Sequence, residues 1–227
     1  MRVLVACEFS GVVRDAFIAK GHCAWSCDLL PCEGNPAYHI QDDVMNQLDG
    51  GWDLMVAHPP CTHLCVSGAR WFKDKLPEQK EALNFVQKLM DAPIRHIALE
   101  NPISIISSRI RKPDQIIHPW QFGHKEMKTT CLWLKNLPPL MYTNMVGPPP
   151  PAKTEERKSW ERIWRMPPKG WTGKSNRMKE RSTTFVGIAK AMADQWGTIC
   201  KADDEVRYDF RKLHNPKRFI RKLADNY

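Results

Sequence analysis

The sequence lacks the features that would assign it to a membrane or secreted class. None of its apolar runs approaches the roughly 20 residues needed to cross a bilayer. The first residues, MRVLVACEFSG, have neither the charged lead and long apolar stretch nor the cleavage site of a secretory signal. We therefore expect a soluble, cytoplasmic protein without a membrane partner.

The sequence also lacks paired C-x-x-C motifs, although it contains 8 cysteines. A cytoplasmic protein is not expected to form disulfides. Cysteine and histidine do bind zinc, and such residues cluster at His58, Cys61, His63 and Cys65. No second pair follows at the spacing of a zinc finger, so we expect no metal.

Acidic residues are too few to balance the basic ones. The 227 residues include 34 Lys and Arg against 25 Asp and Glu, a net charge of +9. Such an excess favours an anionic partner, nucleic acid first. Tryptophans lie among the basic residues of segment 157–171, where they would either stack on bases or cover a small apolar core.

Short apolar runs alternate with helical patterns along the first 200 residues. Strands are predicted at 2–9, 22–31, 53–60, 95–101 and 129–134, and helices at 12–21, 77–90 and 181–197. This alternation predicts an α/β fold with a doubly wound, mostly parallel sheet. We divide the chain into a core (1–135), a short irregular insertion rich in Pro and Trp (136–180), a returning helix (181–200) and a basic tail (201–227).

Polar residues follow the predicted strands at their carboxyl ends, where open parallel sheets bind ligands. They comprise Glu8–Gly11, Asp28, Asp43, Pro59–Cys61 and Glu100–Asn101. An acid after the second strand suits a ribose diol, and a glycine in the first turn permits close approach of a ligand. A G-x-G-x-x-G loop is missing, so the pattern indicates a nucleoside-containing cofactor without indicating a phosphate cradle.

In chain order, these motifs resemble those of the S-adenosylmethionine-dependent DNA cytosine-5 methyltransferases, in particular the short phage-type members. EFSG resembles their F-x-G cofactor loop, HPPC their Pro-Cys nucleophile motif, and LENP their Glu-Asn pair. CDLLP and QDDV are similar to the segments whose acids contact ribose and adenine, and RSTTFVGIAKAM is similar to the closing motif. The likeness implies a Rossmann-like class I methyltransferase fold in the cytoplasm of a bacterial or phage-infected cell.

The resemblance also implies a cofactor, a partner and a set of site residues. The cofactor would be S-adenosylmethionine, held by Glu8, Phe9, Ser10, Gly11, Asp28, Asp43 and Pro59. The partner would be DNA, contacted by Lys125, Lys128, Arg162, Arg165 and Lys169. The catalytic residues would be Cys61, Glu100 and Asn101.

The implied mechanism assigns each catalytic residue a role. The Cys61 thiolate adds to cytosine C6, which makes C5 able to accept the methyl group. Glu100, protonated or sharing its proton, hydrogen-bonds N3 and the exocyclic amine, and Asn101 mainly holds the loop. Because a stacked base cannot reach such a pocket, the cytosine must be flipped or unpaired.

Four departures from the family pattern leave alternatives open. Val13 stands near the place of a second glycine, Asp28 replaces the more usual glutamate, no Q-x-R-x-R motif is legible, and the insertion is short. The same chemistry on RNA, single-stranded DNA or a free nucleotide therefore stays possible, with Cys65 as a competing nucleophile. Amino methylation is disfavoured because HPPC does not match D/N/S-P-P-aromatic. A nucleic-acid-binding pseudoenzyme is the non-enzyme alternative.

Overall fold

Seven strands form one sheet in the computed structural model, which describes residues 1–66, 74–166 and 177–213. Their order across the sheet is β3-β2-β1-β4-β5-β7-β6. The strands are β1 (Arg2–Ala6), β2 (Cys23–Asp28), β3 (His39–Gln41), β4 (Leu54–Ala57), β5 (His96–Pro102), β6 (Gln115–Ile117) and β7 (Thr130–Lys135).

The sheet is mostly parallel. Strand β1 pairs in parallel with β2 and β4, and the parallel pairing continues from β2 to β3 and from β4 to β5. Strand β7 is antiparallel to both β5 and β6 and is inserted between them. Without β7 the order is that of the Rossmann sheet. The predicted α/β fold with a doubly wound, mostly parallel sheet is therefore confirmed.

Helices cover both faces of the sheet. They are α1 (Val12–Ala19), α2 (Leu76–Met90), α3 (Ile106–Arg109), α4 (Glu155–Trp160), α5 (Arg162–Arg165), α6 (Arg177–Ser182) and α7 (Val186–Leu213). Short 3-10 helices occur at Pro36–Tyr38, Val44–Gln47 and Pro119–Gln121. Helix α7 extends beyond the predicted returning helix into the segment that the sequence analysis assigned to the tail. None of the helices in the described ranges is long and apolar enough to cross a membrane.

Alternate residues of the strands feed two separate cores. On one face, Val3 and Val5 pack with Phe17 of α1 and Trp196 of α7. On the other face, Leu4 and Ala6 belong to the core that includes α2. Because both faces are covered, the strands are apolar without alternation, which is why they were recognisable as short continuous apolar runs.

The topology brings the predicted motifs to one edge of the sheet. The strand order reverses between β1 and β4, and the carboxyl ends of β1, β4 and β5 lie side by side at this switch point. Strand β7 runs the other way, so its amino end meets the carboxyl end of β5, with Thr130 opposite Pro102. Segments that lie far apart in the sequence therefore meet at this edge.

Candidate active site

The segment after β4 holds Cys61 in a defined position. His58 continues the ladder by donating its backbone N–H to the Ala6 carbonyl at 2.9 Å, and the two prolines that follow have no N–H to extend it. The Asn101 amide donates to the Pro59 carbonyl at 2.8 Å, across the gap between β4 and β5. The Cys61 carbonyl then accepts the backbone N–H of Cys65 at 2.9 Å, which closes a turn directly after the cysteine.

A hollow of about 110 Å³ lies at the switch point. The ends of β1, β4 and β5 form its floor, and the segment before β7 and residues 181–184 form its sides. Its lining residues are Cys7, Glu8, Phe9, Ser10, His58, Pro59, Pro60, Cys61, Glu100, Asn101, Pro102, Lys128, Arg181, Ser182, Thr183 and Thr184. The structure thus brings together all three predicted catalytic residues with Glu8, Phe9, Ser10, Pro59 and Lys128 from the other predicted sets.

Glu100 is buried and is held by a histidine. Its Oε2 atom lies 2.9 Å from Nδ1 of His58, and both side chains are about nine-tenths buried. Burial raises the pKa of the Glu100 carboxyl, but the hydrogen bond from His58 and the positive charge of Lys128 outweigh it, so the pKa lies below the usual value. Glu100 is therefore ionised at neutral pH in the free protein.

The pKa of the Cys61 thiol is shifted towards the protonated form, unlike that of Glu100. Burial, followed by the neighbouring Cys65 and Glu100, raises the pKa of Cys61, and the charge of Arg181 opposes this rise only in part. At neutral pH most of the free protein thus carries a protonated thiol. Since the thiolate is the nucleophile, reactivity at this site increases with pH.

Glu8 supports the loop before α1. Its Oε1 atom accepts the backbone N–H of Val13 at 2.7 Å, and its Oε2 atom accepts that of Arg14 at 3.2 Å. These N–H groups belong to the first turn of α1 and have no partner within the helix. Glu8 therefore caps α1 while one side of it faces the hollow, and its predicted contact to a cofactor remains a prediction.

Gly11 is needed for the shape of the same loop. It has φ of +75°, in the left-handed region. A Cβ atom here would also lie 2.8 Å from Cζ of the buried Arg14. Both observations require glycine at this position.

Asp28 and Asp43 lie outside the hollow but close to its β1 side. Each uses one carboxylate oxygen to accept a backbone N–H two residues further on, at 2.9 Å. Burial and Asp28, with smaller effects of Cys27 and Asp43, raise the pKa of Cys7, which lines the hollow. Next to Asp28, Leu29 is 72% exposed. Acids beside an exposed apolar side chain are a combination that suits a nucleoside.

The predicted nucleic-acid residues have different environments. Lys125 is exposed, whereas Lys128 is buried and donates to the Thr183 carbonyl at 3.3 Å. Arg162 pairs with Glu180 at 2.6 Å and lies 3.5 Å from Glu126, and Arg165 pairs with Glu161 at 2.9 Å. Lys169 lies outside the described residues. Only part of the predicted basic surface is thus free of acidic partners.

His58, considered from the sequence only as a zinc ligand, and Arg181 were not predicted as residues of this site. His58 immediately precedes Pro-Pro-Cys, and this position in the motif was the signal that could have identified it. Arg181 begins the RSTTF segment, and its guanidinium lies 4.5 Å from the ring centroid of Trp164 while lining the hollow near Cys61. Trp160 is buried, so this tryptophan of the insertion belongs to a packed core.

The site gives no indication of a metal centre. Within residues 1–66, 74–166 and 177–213, no three His, Cys, Asp or Glu side chains are grouped so as to hold a metal ion. His58 and Cys61 instead belong to the hollow described above.

Comparison with solved structures finds distant likenesses in fold. No family model matches the chain, and no curated protein sequence matches it. A crystal structure described as a candidate DNA modification methyltransferase encoded within an E. coli prophage is similar, with 14% identity and a TM-score of 0.41. The match covers 59% of this chain and 46% of that protein. At this TM-score the likeness carries no argument about the activity of the present chain.

Proposed function

We propose that the protein transfers a methyl group from S-adenosylmethionine to C5 of cytosine in DNA, through a covalent bond between Cys61 Sγ and cytosine C6. The observation that carries the proposal is that Cys61 and Glu100 line one hollow at the switch point of the sheet. A thiol and a carboxyl that meet there provide the nucleophile and the hydrogen-bonding group that this reaction needs.

The residues along the β1 side of the hollow fit the proposed cofactor. Asp28 and Asp43 supply carboxylates for ribose and adenine contacts, Leu29 supplies an apolar surface, and Gly11 allows the loop to approach closely. The cofactor, when bound, supplies an electrophilic methyl group. The protein's part is to hold this group beside the base and to exclude water from it.

The chain's own residues would perform the steps on the base. The Cys61 thiolate forms a bond to C6, and the electron pair of the C5–C6 double bond becomes available at C5. Glu100 binds the N3 and exocyclic amine edge of the ring and stabilises the charge that develops there. Asn101 keeps the Pro59–Cys61 segment in place through its hydrogen bond to Pro59. After methyl transfer, loss of the C5 proton re-forms the double bond and expels the thiolate.

The size of the hollow favours a single flat ring as its occupant. Its volume of about 110 Å³ is smaller than the roughly 300–1,000 Å³ of pockets that enclose whole drug-sized ligands. A base that leaves its stack would enter, while sugar and phosphate stay outside. Lys128 and Arg181, which line the hollow, would then meet the negative charge of the substrate.

A trapping experiment tests the proposal. The protein is incubated with S-adenosylmethionine and DNA containing 5-fluorocytosine, in which the C5 substituent cannot leave, and the covalent adduct is detected by mass spectrometry. We expect an adduct for the wild type and for Cys65→Ser, the matched control, but none for Cys61→Ser. An adduct that survives Cys61→Ser would refute the assignment of the nucleophile. Tight DNA binding without methyl transfer or adduct would support the pseudoenzyme alternative.

A substrate other than duplex DNA is favoured by one observation. Arg162 and Arg165 of the insertion are paired with acidic residues, which reduces the charge available to hold two strands. Transfer from a tritiated methyl donor should therefore be compared on duplex DNA, single-stranded DNA, RNA and free nucleotide. A rate on a single-stranded or nucleotide substrate that exceeds the rate on duplex DNA would favour this alternative.

A further inference from the structure

His58 is more than a neighbour of Glu100 in the hollow. Its Nδ1 atom lies 2.9 Å from Oε2 of Glu100, within ordinary hydrogen-bonding distance. The ring is fixed because its backbone is part of the ladder from β4 and because two prolines follow it. With Glu100 ionised, Nδ1 carries the proton and donates it to the carboxylate.

The second ring nitrogen of His58 has no hydrogen-bond partner within the described ranges. Nε2 is fully buried and makes no hydrogen bond to any of the residues that the structure describes. A buried polar atom without a partner destabilises the folded protein. Because the His58 side chain lines the hollow, an unpaired Nε2 is explained if it exchanges a proton or a hydrogen bond when a substrate occupies the site.

The proposed reaction, on which this inference rests, needs a proton at the Glu100 position. An ionised carboxylate only accepts hydrogen bonds. N3 of cytosine is also an acceptor, so an ionised Glu100 and N3 repel each other. Addition of Cys61 to C6 places negative charge on N3 and the carbonyl oxygen, which an acid at N3 would neutralise. Glu100 must therefore obtain a proton from a neighbour, and His58 is in hydrogen-bonding contact with it.

We propose that His58 is a positioning and proton-sharing residue that converts Glu100 into the acid for N3. A hydronium ion from the solvent gives its proton to Nε2 and becomes water, and the Nδ1 proton passes to Oε2 of Glu100. His58 is then neutral with its proton on Nε2, and neutral Glu100 donates its hydrogen to N3. When Cys61 leaves the ring, N3 releases the proton and the same steps run backwards.

Other charged groups around His58 and Glu100 limit this pair of residues to one extra proton. Lys128 and Arg181 line the same hollow and add positive charge, and Cys61 and Cys131 are thiols whose pKa values burial and Glu100 raise. The positive charges disfavour a doubly protonated pair, so a single shared proton moves between His58 and Glu100.

The kinetic test uses His58→Asn, because the Asn amide can still donate a hydrogen bond to Oε2 but cannot pass on a proton. We expect kcat for methyl transfer to DNA to fall about 100-fold, the usual contribution of a general acid, with little change in KM. For the wild type, kcat should have a bell-shaped dependence on pH. Ionisation of Cys61 makes kcat rise, and loss of the proton shared by His58 and Glu100 makes it fall. His58→Asn should keep only the rise.

The control variant is His96→Asn. His96 is also buried, at the opposite end of β5, and its Nδ1 lies 2.8 Å from the Asn136 carbonyl oxygen. The His96→Asn variant should keep the bell-shaped dependence of kcat on pH even if the substitution lowers its stability. A His58→Asn enzyme with wild-type kcat and an unchanged profile would overturn the proton-sharing role.

A titration of the wild-type protein without substrate separates this inference from the proposed function. Glutamate labelled with ¹³C at the carboxyl and histidine labelled with ¹⁵N in the ring are followed by NMR as the pH is varied. If a proton is shared, the Glu100 and His58 signals change in the same apparent steps. Independent titration of the two residues would refute the pair even if methyl transfer occurs. Shared steps without any transfer to DNA would support the pair and count against the proposed function.

Discussion

At the scale of single residues, the raised pKa of Cys61 predicts how this thiol reacts. The rate of alkylation by iodoacetamide should be low at neutral pH and should still increase at pH values where an ordinary exposed thiol has reached its plateau, because only the thiolate reacts. Arg181→Ala removes a positive charge that favours the thiolate. We therefore expect alkylation of Cys61 at neutral pH to slow several-fold, by no more than about tenfold.

Peptide mass spectrometry measures this rate for each cysteine separately. Arg165→Ala is the matched control, since Arg165 is paired with Glu161 and does not line the hollow. It should leave the rate at Cys61 unchanged. An Arg181→Ala protein with faster alkylation would mean that Arg181 shields the thiol sterically and that its charge does not matter.

The site residues differ in how far the sequence could reveal them. Cys61 and Glu100 follow apolar strands directly, so the rule that ligands bind at the carboxyl ends of parallel strands places them at one edge. Arg181 becomes a site residue only through a tertiary contact, with Trp164, that no local pattern encodes. His58 had a local signal in its place directly before Pro-Pro-Cys, but its contact with Glu100 depends on the fold. The capping of α1 by Glu8 was not predictable, because it depends on the fold of the loop, and the predicted contact of Glu8 to a cofactor stays a prediction.

At the scale of elements, helix α1 depends on Glu8 for its first turn. Glu8→Ala leaves the N–H groups of Val13 and Arg14 without an acceptor at a buried helix start. We expect a loss of about 1–2 kcal/mol in the free energy of unfolding, comparable to the loss of a helix cap. Urea denaturation should show a lower midpoint with an unchanged m-value. Glu155→Ala, at an exposed position, is the control, and an equal effect of both would refute the capping role.

Helix α7 carries the second prediction at this scale. Trp196 is fully buried between α1 and the sheet, and its Nε1 donates to the Pro138 carbonyl at 3.0 Å. Trp196→Ala should cost about 3–5 kcal/mol of unfolding free energy, because it leaves a large cavity and an unpaired carbonyl. Val186→Ala, on the same helix at a half-exposed position, should change the unfolding free energy by less than about 0.5 kcal/mol. Similar small effects of both would mean that α7 does not complete the core.

The elements that the sequence predicted are the long ones. The apolar residues are numerous enough for the period or length to be recognised in helices α1, α2 and α7 and in strands β1, β2, β4, β5 and β7. Strands β3 and β6 contain three residues each, too few to show a pattern. The antiparallel direction of β7 was not predictable either, because an apolar run reads the same in both directions. Strand β1 ends at Ala6, earlier than predicted, where Cys7 has φ of +59° and leaves the extended conformation.

At the scale of the whole molecule, the net charge of +9 is a weaker guide to nucleic-acid binding than its distribution. Arg157, Arg162 and Arg165 are all paired with glutamates, so much of the positive charge of the insertion is neutralised locally. Lys125 is exposed and has no ion pair with any residue in the described ranges. Sequence composition reports the total charge and gives no information on this pairing.

If the protein binds DNA as proposed, the distribution of its charge predicts how salt affects this binding. A lysine that contacts one phosphate contributes about 0.9 to the slope of log K against log salt for duplex DNA, because one counterion is released. We expect Lys125→Ala to reduce this slope by about 1 and to weaken binding equally for different sequences. Arg165→Ala should change the slope much less, because the arginine already has Glu161 as its counterion. Fluorescence anisotropy of a labelled oligonucleotide over a series of salt concentrations measures both slopes. Equal reductions for the two variants would mean that DNA breaks the Arg165–Glu161 pair on binding, and the insertion would then belong to the DNA-contacting surface after all.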